Sequence, residues 1–245
     1  MNSLWQAAEF DGLKVLMFAS FIIMGWIVTG QLHRVRQLRI GDSRKLNHVA
    51  VLVGGAAWFW TDNPANDRLN AFIAAGVLFS ILMLACRFPR RRFSRVLLQG
   101  YVRMEDWPHP HGHLWVSWMA SIVGLVIVEL VFGSTEITRM SAIVLGIADA
   151  LGEPIGSRFG RHRFQVADLL SSTIRHRSWE GSLAVCVGAT LSIAWLLPIS
   201  MGLPLTLVVA CLMGVLIAGV EAWSPHGLDN LTIPLVTGPC LALIV

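Results

Sequence analysis

The sequence is poor in charge, and poorer still in lysine, tyrosine and cysteine. Of its 245 residues 14% are charged, against roughly 25% in a soluble domain. There are two lysines, Lys14 and Lys45, beside 17 arginines, and a single tyrosine. Cysteine occurs four times, as Cys86, Cys186, Cys211 and Cys240, each inside an apolar run. None forms a CxxC pair, which excludes a disulfide framework and a cysteine zinc site; they read as small buried hydrophobes. What is present is apolar: 55% of the side chains are hydrophobic and the mean hydropathy is +0.63. This balance excludes a soluble globule, a disordered chain and a fibrous repeat. The expectation is one all-α, polytopic transmembrane domain over 1–245, with no room for a separate soluble domain.

A bilayer core needs roughly 20 apolar residues per helix, and fewer where a helix ends in protein or a polar cavity. Eight stretches qualify: about 13–32, 46–61, 69–86, 114–132, 137–156, 182–198, 202–222 and 231–245. The second and eighth are the shortest. The first follows Glu9 and Asp11 and lacks a basic start and a small-residue cleavage site, so it is expected to be an anchor. With eight spans, 16 of the 19 basic residues fall in loops 33–47, 87–113 and 157–181. The positive-inside rule puts those loops in the cytoplasm and both termini on the other side. That membrane would be a bacterial inner membrane, or an endomembrane in a eukaryote. Arg87 to Arg95 would then meet anionic lipid headgroups. No soluble module presents the basic residues, so nucleic acid is not an expected partner.

Acidic residues in or beside membrane helices are costly and mark function. Asp149, Glu153, Glu180 and Glu221 sit at predicted cytoplasmic helix ends, and Asp229 lies between the last two spans on that face. Carboxylates hold Mg²⁺, and Arg or Lys neutralises phosphate oxygens. The mixture therefore suits a metal–nucleotide site. Four motifs carry it. Arg44-Lys45-Leu-Asn-His48 opens the second span; its plainer reading is a basic interfacial anchor. In Asp149-Ala-Leu-Gly152-Glu153-Pro-Ile-Gly156-Ser-Arg158-Phe-Gly160, two acids four apart share a helix face. The glycines at the same spacing bare the backbone, or make a helix-packing stripe, and Pro154 is expected to kink or end the helix. Arg177-Ser178-Trp-Glu180-Gly181-Ser182 precedes the sixth span, where a helix start offers unpaired N–H groups to phosphate or is a plain N-cap. Glu221 to Asp229-Asn230 and Pro234 closes the set, with a Pro225–Gly227 turn inside it. His109, His111 and His113 alternate, but no acid or cysteine at ligand spacing completes a metal site there. Glu129, deep in the fourth span, is expected to pair within the bundle.

In order, these motifs resemble the family of CTP-dependent polyprenol and lipid kinases. It includes phytol, farnesol and dolichol kinases and a CTP-using diacylglycerol kinase, and is related to phosphatidate cytidylyltransferases. The resemblance covers about residues 44–235. A lysine usually opens the third motif where Arg177 stands, and a glycine often precedes the acid at Asp149, where this chain has Ala148. The resemblance implies an integral membrane kinase moving the γ-phosphoryl of CTP to an isoprenoid alcohol such as phytol, farnesol or a polyprenol. It implies Mg²⁺ on Asp149, Glu153, Glu221 and Asp229. Nucleotide contacts would come from Arg44, Lys45, Gly156, Arg158, Gly160, Arg177, Ser178, Gly181, Ser182 and Asn230. Asp149 would accept the hydroxyl proton, with His48 second and Glu180 beside the helix start. No Walker A loop and no kinase glycine loop occurs, so the common soluble kinase folds are excluded. The alternatives are a diacylglycerol kinase and a cytidylyltransferase-like nucleotidyl transfer. A transporter fits less well, because no internal repeat is visible and the acids gather at one face.

Overall fold

All eight apolar stretches form helices in the computed structural model, which describes residues 9–61, 63–103, 106–171, 174–197 and 202–244. Chain contacts divide it into two units, residues 1–115 and 116–245. The first holds α1 (Gly12–Arg34), α2 (Ile40–Trp58), α3 (Pro64–Arg87), α4 (Arg92–Leu98) and the start of α5 (Pro110–Phe132). The second holds the rest of α5, then α6 (Thr135–Phe159), β1 (Arg163–Ala167), β2 (Ile174–Ser178), α7 (Trp179–Leu196), α8 (Leu203–Trp223) and α9 (Asp229–Ala242). The ends of the sixth and eighth predicted spans, 198 and 245, lie outside the described residues.

Helix starts follow the sequence. Asp11 Oδ1 accepts from Lys14 N at 2.8 Å to open α1. Asn63 accepts from Ala65 N and Asn66 N to open α3, with Pro64 in the first helical position, where its missing N–H costs nothing. Ser134 and Ser178 cap α6 and α7 through the amides of Ile137 and Gly181.

Five of these helices, α1, α3, α5, α7 and α8, are long and apolar enough to cross a membrane. The other three helices that hold predicted spans differ for visible reasons. α2 begins with Asp42, Arg44 and Lys45; α6 carries Glu136, Arg139, Asp149, Glu153 and Arg158; α9 has only 14 residues. The outward faces explain the composition. On α7, Leu183, Val187, Leu191 and Trp195 are exposed, one per turn, whereas Gly181, Ala184, Gly188, Ala189 and Ser192 are buried. Small residues inside and large apolar ones outside is the arrangement of a helix packed in lipid. The cysteines correct one expectation. Cys211 is exposed, and Cys86, Cys186 and Cys240 are half-buried, so none of the four is a fully buried core residue.

In the first unit α1 packs against α2, α3 and α4. Trp26 is fully buried and meets Tyr101 edge to face at 5.4 Å. In the second, α7 lies between α6 and α8, and α9 touches both α6 and α8. α5 also approaches α9 closely: a Cβ on Gly124 would meet the Leu231 carbonyl at 3.2 Å. Glu129 lies in this unit, buried, and accepts from Thr135 Oγ1 at 3.3 Å, as its place in the bundle suggested.

Three further departures from the sequence reading stand out. Of the kink or helix end expected at Pro154, the end does not occur, because α6 continues to Phe159. The Pro154 carbonyl accepts from Arg158 Nη1 at 3.1 Å and Ser157 Oγ at 3.2 Å, and Gly152 and Gly156 on either side lie against α7. Loop 87–113 contains α4, whose Leu97 and Leu98 are buried beneath exposed arginines. Loop 157–181 contains the antiparallel β1–β2 hairpin, the two-stranded element of an otherwise helical chain.

Candidate functional site

The hairpin is what brings the third and fourth motifs together. Phe164 pairs with Arg177 and Val166 with Arg175, so these four side chains share one face of the ribbon. That face is turned inward, while Arg163, Gln165, Ala167, Ile174 and His176 are exposed. The ribbon is anchored at its far end. The Asp168 carboxylate, with no exposed surface, holds Arg175 Nε at 2.7 Å. The His226 amide donates to the Ala167 carbonyl at 2.9 Å. His226 belongs to the turn between α8 and α9, closed by Leu228 N on Pro225 O at 3.0 Å. Gly227 takes φ +94° there, a backbone state that glycine adopts without steric cost.

Arg177 thereby stands between two acids from different helices. Its Nη1 lies 2.8 Å from Glu221 Oε1, at the end of α8, and its Nη2 lies 3.1 Å from Asp229 Oδ2, at the start of α9. All three side chains are largely buried. Ser182 Oγ approaches the second Glu221 oxygen at 3.5 Å, and the Asn230 amide donates to Asp229 Oδ1 at 3.0 Å. Asn230 Nδ2 in turn donates to the Ser117 carbonyl at 3.1 Å, fixing the start of α9 against α5. Thus Arg177, Ser182, Glu221, Asp229 and Asn230, all named from sequence, form one connected polar cluster.

The remaining residues of these motifs build the wall behind it. A Cβ on Gly181 would meet the Gly152 carbonyl at 2.9 Å and Gly156 Cα at 3.2 Å; one on Gly156 would meet Ser178 Oγ at 2.9 Å. Gly160 faces Ser178 as well. The glycine stripe is therefore filled by α7 and its cap, and it serves close helix packing. Asp149, buried, and Glu153 follow each other one turn apart on the same stretch of α6. Glu180 accepts from the His162 amide at 3.2 Å and pairs with His162 Nδ1 at 2.9 Å. With Trp179 N on His162 O at 3.0 Å, it ties the start of α7 to the entry of the hairpin. Arg158 Nη1 is on the Pro154 carbonyl.

In the first unit, Arg44, Lys45 and His48 lie on α2. Arg44 Nη1 is 3.6 Å from Asp106 Oδ2, and Arg103 grips the same buried carboxylate through two nitrogens, at 3.1 and 3.0 Å. Of the histidine triplet, His109 precedes α5 and His111 and His113 fall in its first turns.

Among the described residues no three His, Cys, Asp or Glu side chains group to hold a metal ion. Magnesium does not need three. It is usually bound by one or two carboxylates together with substrate phosphates and water. Glu221 and Asp229, hard oxygen donors already gathered around one cation, fit that requirement.

The sequence reading missed Asp168, Arg175, His162, Arg103 and Asp106. The hairpin had a faint signal, Phe164 and Val166 then Arg175 and Arg177 at alternate positions. The sequence between the strands, 168–173, has Asp168 and serines but no Gly, Pro or Asn to mark a tight hairpin turn.

The helices fit a multi-pass membrane protein, and its polar cluster joins acids and an arginine from separate motifs. Among known proteins the chain is 36% identical, over 94 residues, to the phytol kinase of Synechocystis sp.. That stretch is 38% of this chain and 38% of the relative, so the match spans about two fifths of the relative's length. No family model matches the chain, and no solved structure does.

Proposed function

We propose that the protein is an integral membrane kinase that transfers the γ-phosphoryl of CTP to an isoprenoid alcohol such as phytol, farnesol or a polyprenol. The observation that carries this reading is Arg177 held by Glu221 and Asp229. It joins two motifs of the resemblance, and the identity to phytol kinase supports the same class. Phosphoryl transfer through a loose transition state needs positioning and charge stabilisation more than a strong base. In this reading Glu221 and Asp229, with Asp149 and Glu153, hold Mg²⁺, which neutralises phosphate charge. Arg177 and Arg158 contact phosphate oxygens, with Ser182, Asn230 and the start of α7 assisting. Asp149 receives the hydroxyl proton. Arg44, Lys45 and His48 keep the nucleotide role that the resemblance gives them. The acceptor is amphiphilic, so its hydroxyl lies at headgroup level and its chain stays in lipid. Purified protein in phytol-containing proteoliposomes, given CTP and Mg²⁺, should form phytyl monophosphate. No phosphorylated product from phytol, farnesol or a short polyprenol would refute the reading.

The same reading places loops 33–47, 87–113 and 157–181 in the cytoplasm, with α2, α6 and α9 also membrane-embedded. The 16-to-3 division of basic residues supports it. Gln165, on the exposed face of the hairpin, offers a test. Gln165→Cys, in a chain whose four cysteines are replaced by alanine, should resist an impermeant maleimide in right-side-out vesicles. It should react once they are permeabilised. Reaction in sealed vesicles would reverse the topology.

A further inference from the structure

Arg177 does something that a single phosphate contact does not require. Two different nitrogens of its guanidinium face two different acids: Nη1 forms an ion pair with Glu221 at 2.8 Å, and Nη2 hydrogen-bonds Asp229 at 3.1 Å. The three side chains are 12%, 11% and 16% exposed, so water screens the cluster poorly. The arginine is also held from behind, because Arg175, two residues earlier on the same strand, is paired with the Asp168 carboxylate, which has no exposed surface. Burying two like charges side by side is unfavourable unless a cation lies between them. Arg177 supplies that cation from within the chain.

A divalent ion seeking the same oxygens would meet a fixed positive charge about one hydrogen-bond length away. The acids are then poor metal ligands while Arg177 stays. A guanidinium binds phosphate as readily as carboxylate, through the same forked geometry. An arriving triphosphate therefore offers Arg177 a replacement partner at the moment it brings the metal its other ligands. We propose that Arg177 is the resident counter-cation of the Glu221–Asp229 pair. Divalent ion and nucleoside triphosphate enter together, and Arg177 passes from the carboxylates to phosphate oxygens. The proposal rests on the assignment of Glu221 and Asp229 as metal-binding acids made above. Its consequence is linkage: each ligand tightens the binding of the other by the same factor. A lysine has one nitrogen and cannot span both acids in this way, so the arginine at this position makes the exchange stricter.

The test is Mn²⁺ binding, followed by electron paramagnetic resonance on the full-length protein in detergent, with and without a non-hydrolysable CTP analogue. Wild type should bind Mn²⁺ roughly tenfold more tightly with the analogue present, within the usual range of coupling between sites. Arg177→Gln should bind Mn²⁺ alone roughly tenfold more tightly than wild type, and should lose most of the dependence on the analogue. Mn²⁺ alone should also raise its melting temperature, and should leave that of wild type unchanged. Arg177→Lys should fall between the two, and it decides the matter if Arg177→Gln does not fold. Equal Mn²⁺ affinity in wild type and variants without nucleotide would overturn the exchange, as would no Mn²⁺ binding at all. Failure of the exchange in a protein that still phosphorylates lipid leaves the kinase reading standing. Tight nucleotide-linked Mn²⁺ binding without lipid phosphorylation would sink the kinase reading alone.

Discussion

Glu221→Gln and Asp149→Asn are each expected to lower phosphoryl transfer by roughly 100-fold or more, the scale of losing one preorganised electrostatic group. Both substitutions keep the shape of the side chain and remove its charge. At Glu221 the variant leaves Arg177 with Asp229 as its remaining acid in the cluster and would take one hard oxygen ligand from the Mg²⁺ proposed for this site. The protein should still insert and elute as a single species, because Ser182 and Arg177 retain polar partners of nearly the same geometry. Turnover at saturating Mg²⁺, measured beside the elution profile and melting temperature, checks this. Near-normal turnover in Asp149→Asn would assign that buried carboxylate to packing in α6.

The second large effect is on stability. Gly181→Val should destabilise the helical unit 116–245 severely, and Gly181→Ala by about 1–3 kcal/mol, the usual cost of overpacking. The reason is geometric. The new Cβ would meet the Gly152 carbonyl at 2.9 Å and Gly156 Cα at 3.2 Å. These are backbone atoms of a facing helix, which cannot rotate away as a side chain does. Gly219, on α8, supplies the control. A Cβ there meets nothing within 4 Å, so Gly219→Ala should hold or slightly raise stability through better helix propensity. Thermal unfolding in detergent compares the two. Equal melting temperatures for Gly181→Ala and Gly219→Ala would mean that α6 and α7 do not pack through this stripe.

The helices were legible in the sequence because lipid imposes a simple rule, long apolar runs broken by charge. Position within those runs was also readable where a cap or turn residue made it so, as at Ser178 and Gly227. The hairpin was not. Its strands are five residues each, too short for periodicity to dominate, and their burial depends on Asp168 and the 225–228 turn, which are remote in sequence or unremarkable alone. The site was legible as a list of acids and arginines but not as partnerships. Nothing in Arg177 itself announces Glu221 and Asp229 as its neighbours, since the contact with Asp229 alone spans 52 positions and is made by a strand. The glycines show the opposite case. Their spacing suited a bare phosphate cradle and a packing stripe alike, and only the approach of α7 distinguishes the packing. From sequence Arg44 is a candidate nucleotide contact, and the structure adds Asp106 and Arg103 around it.

In a kinase the terminal phosphoryl of CTP would reach a neutral lipid hydroxyl. A kinase attacks the γ-phosphorus and leaves CDP. A cytidylyltransferase, which would use the same acids and the same metal, attacks the α-phosphorus with a lipid phosphate and releases pyrophosphate. Incubating the protein in lipid vesicles with CTP labelled either at the γ-phosphate or in the cytosine ring, then extracting the lipid, separates the two. The expected result is γ-phosphate label in the lipid, none from cytosine, and CDP in the aqueous phase. Cytosine label in the lipid together with free pyrophosphate would contradict it.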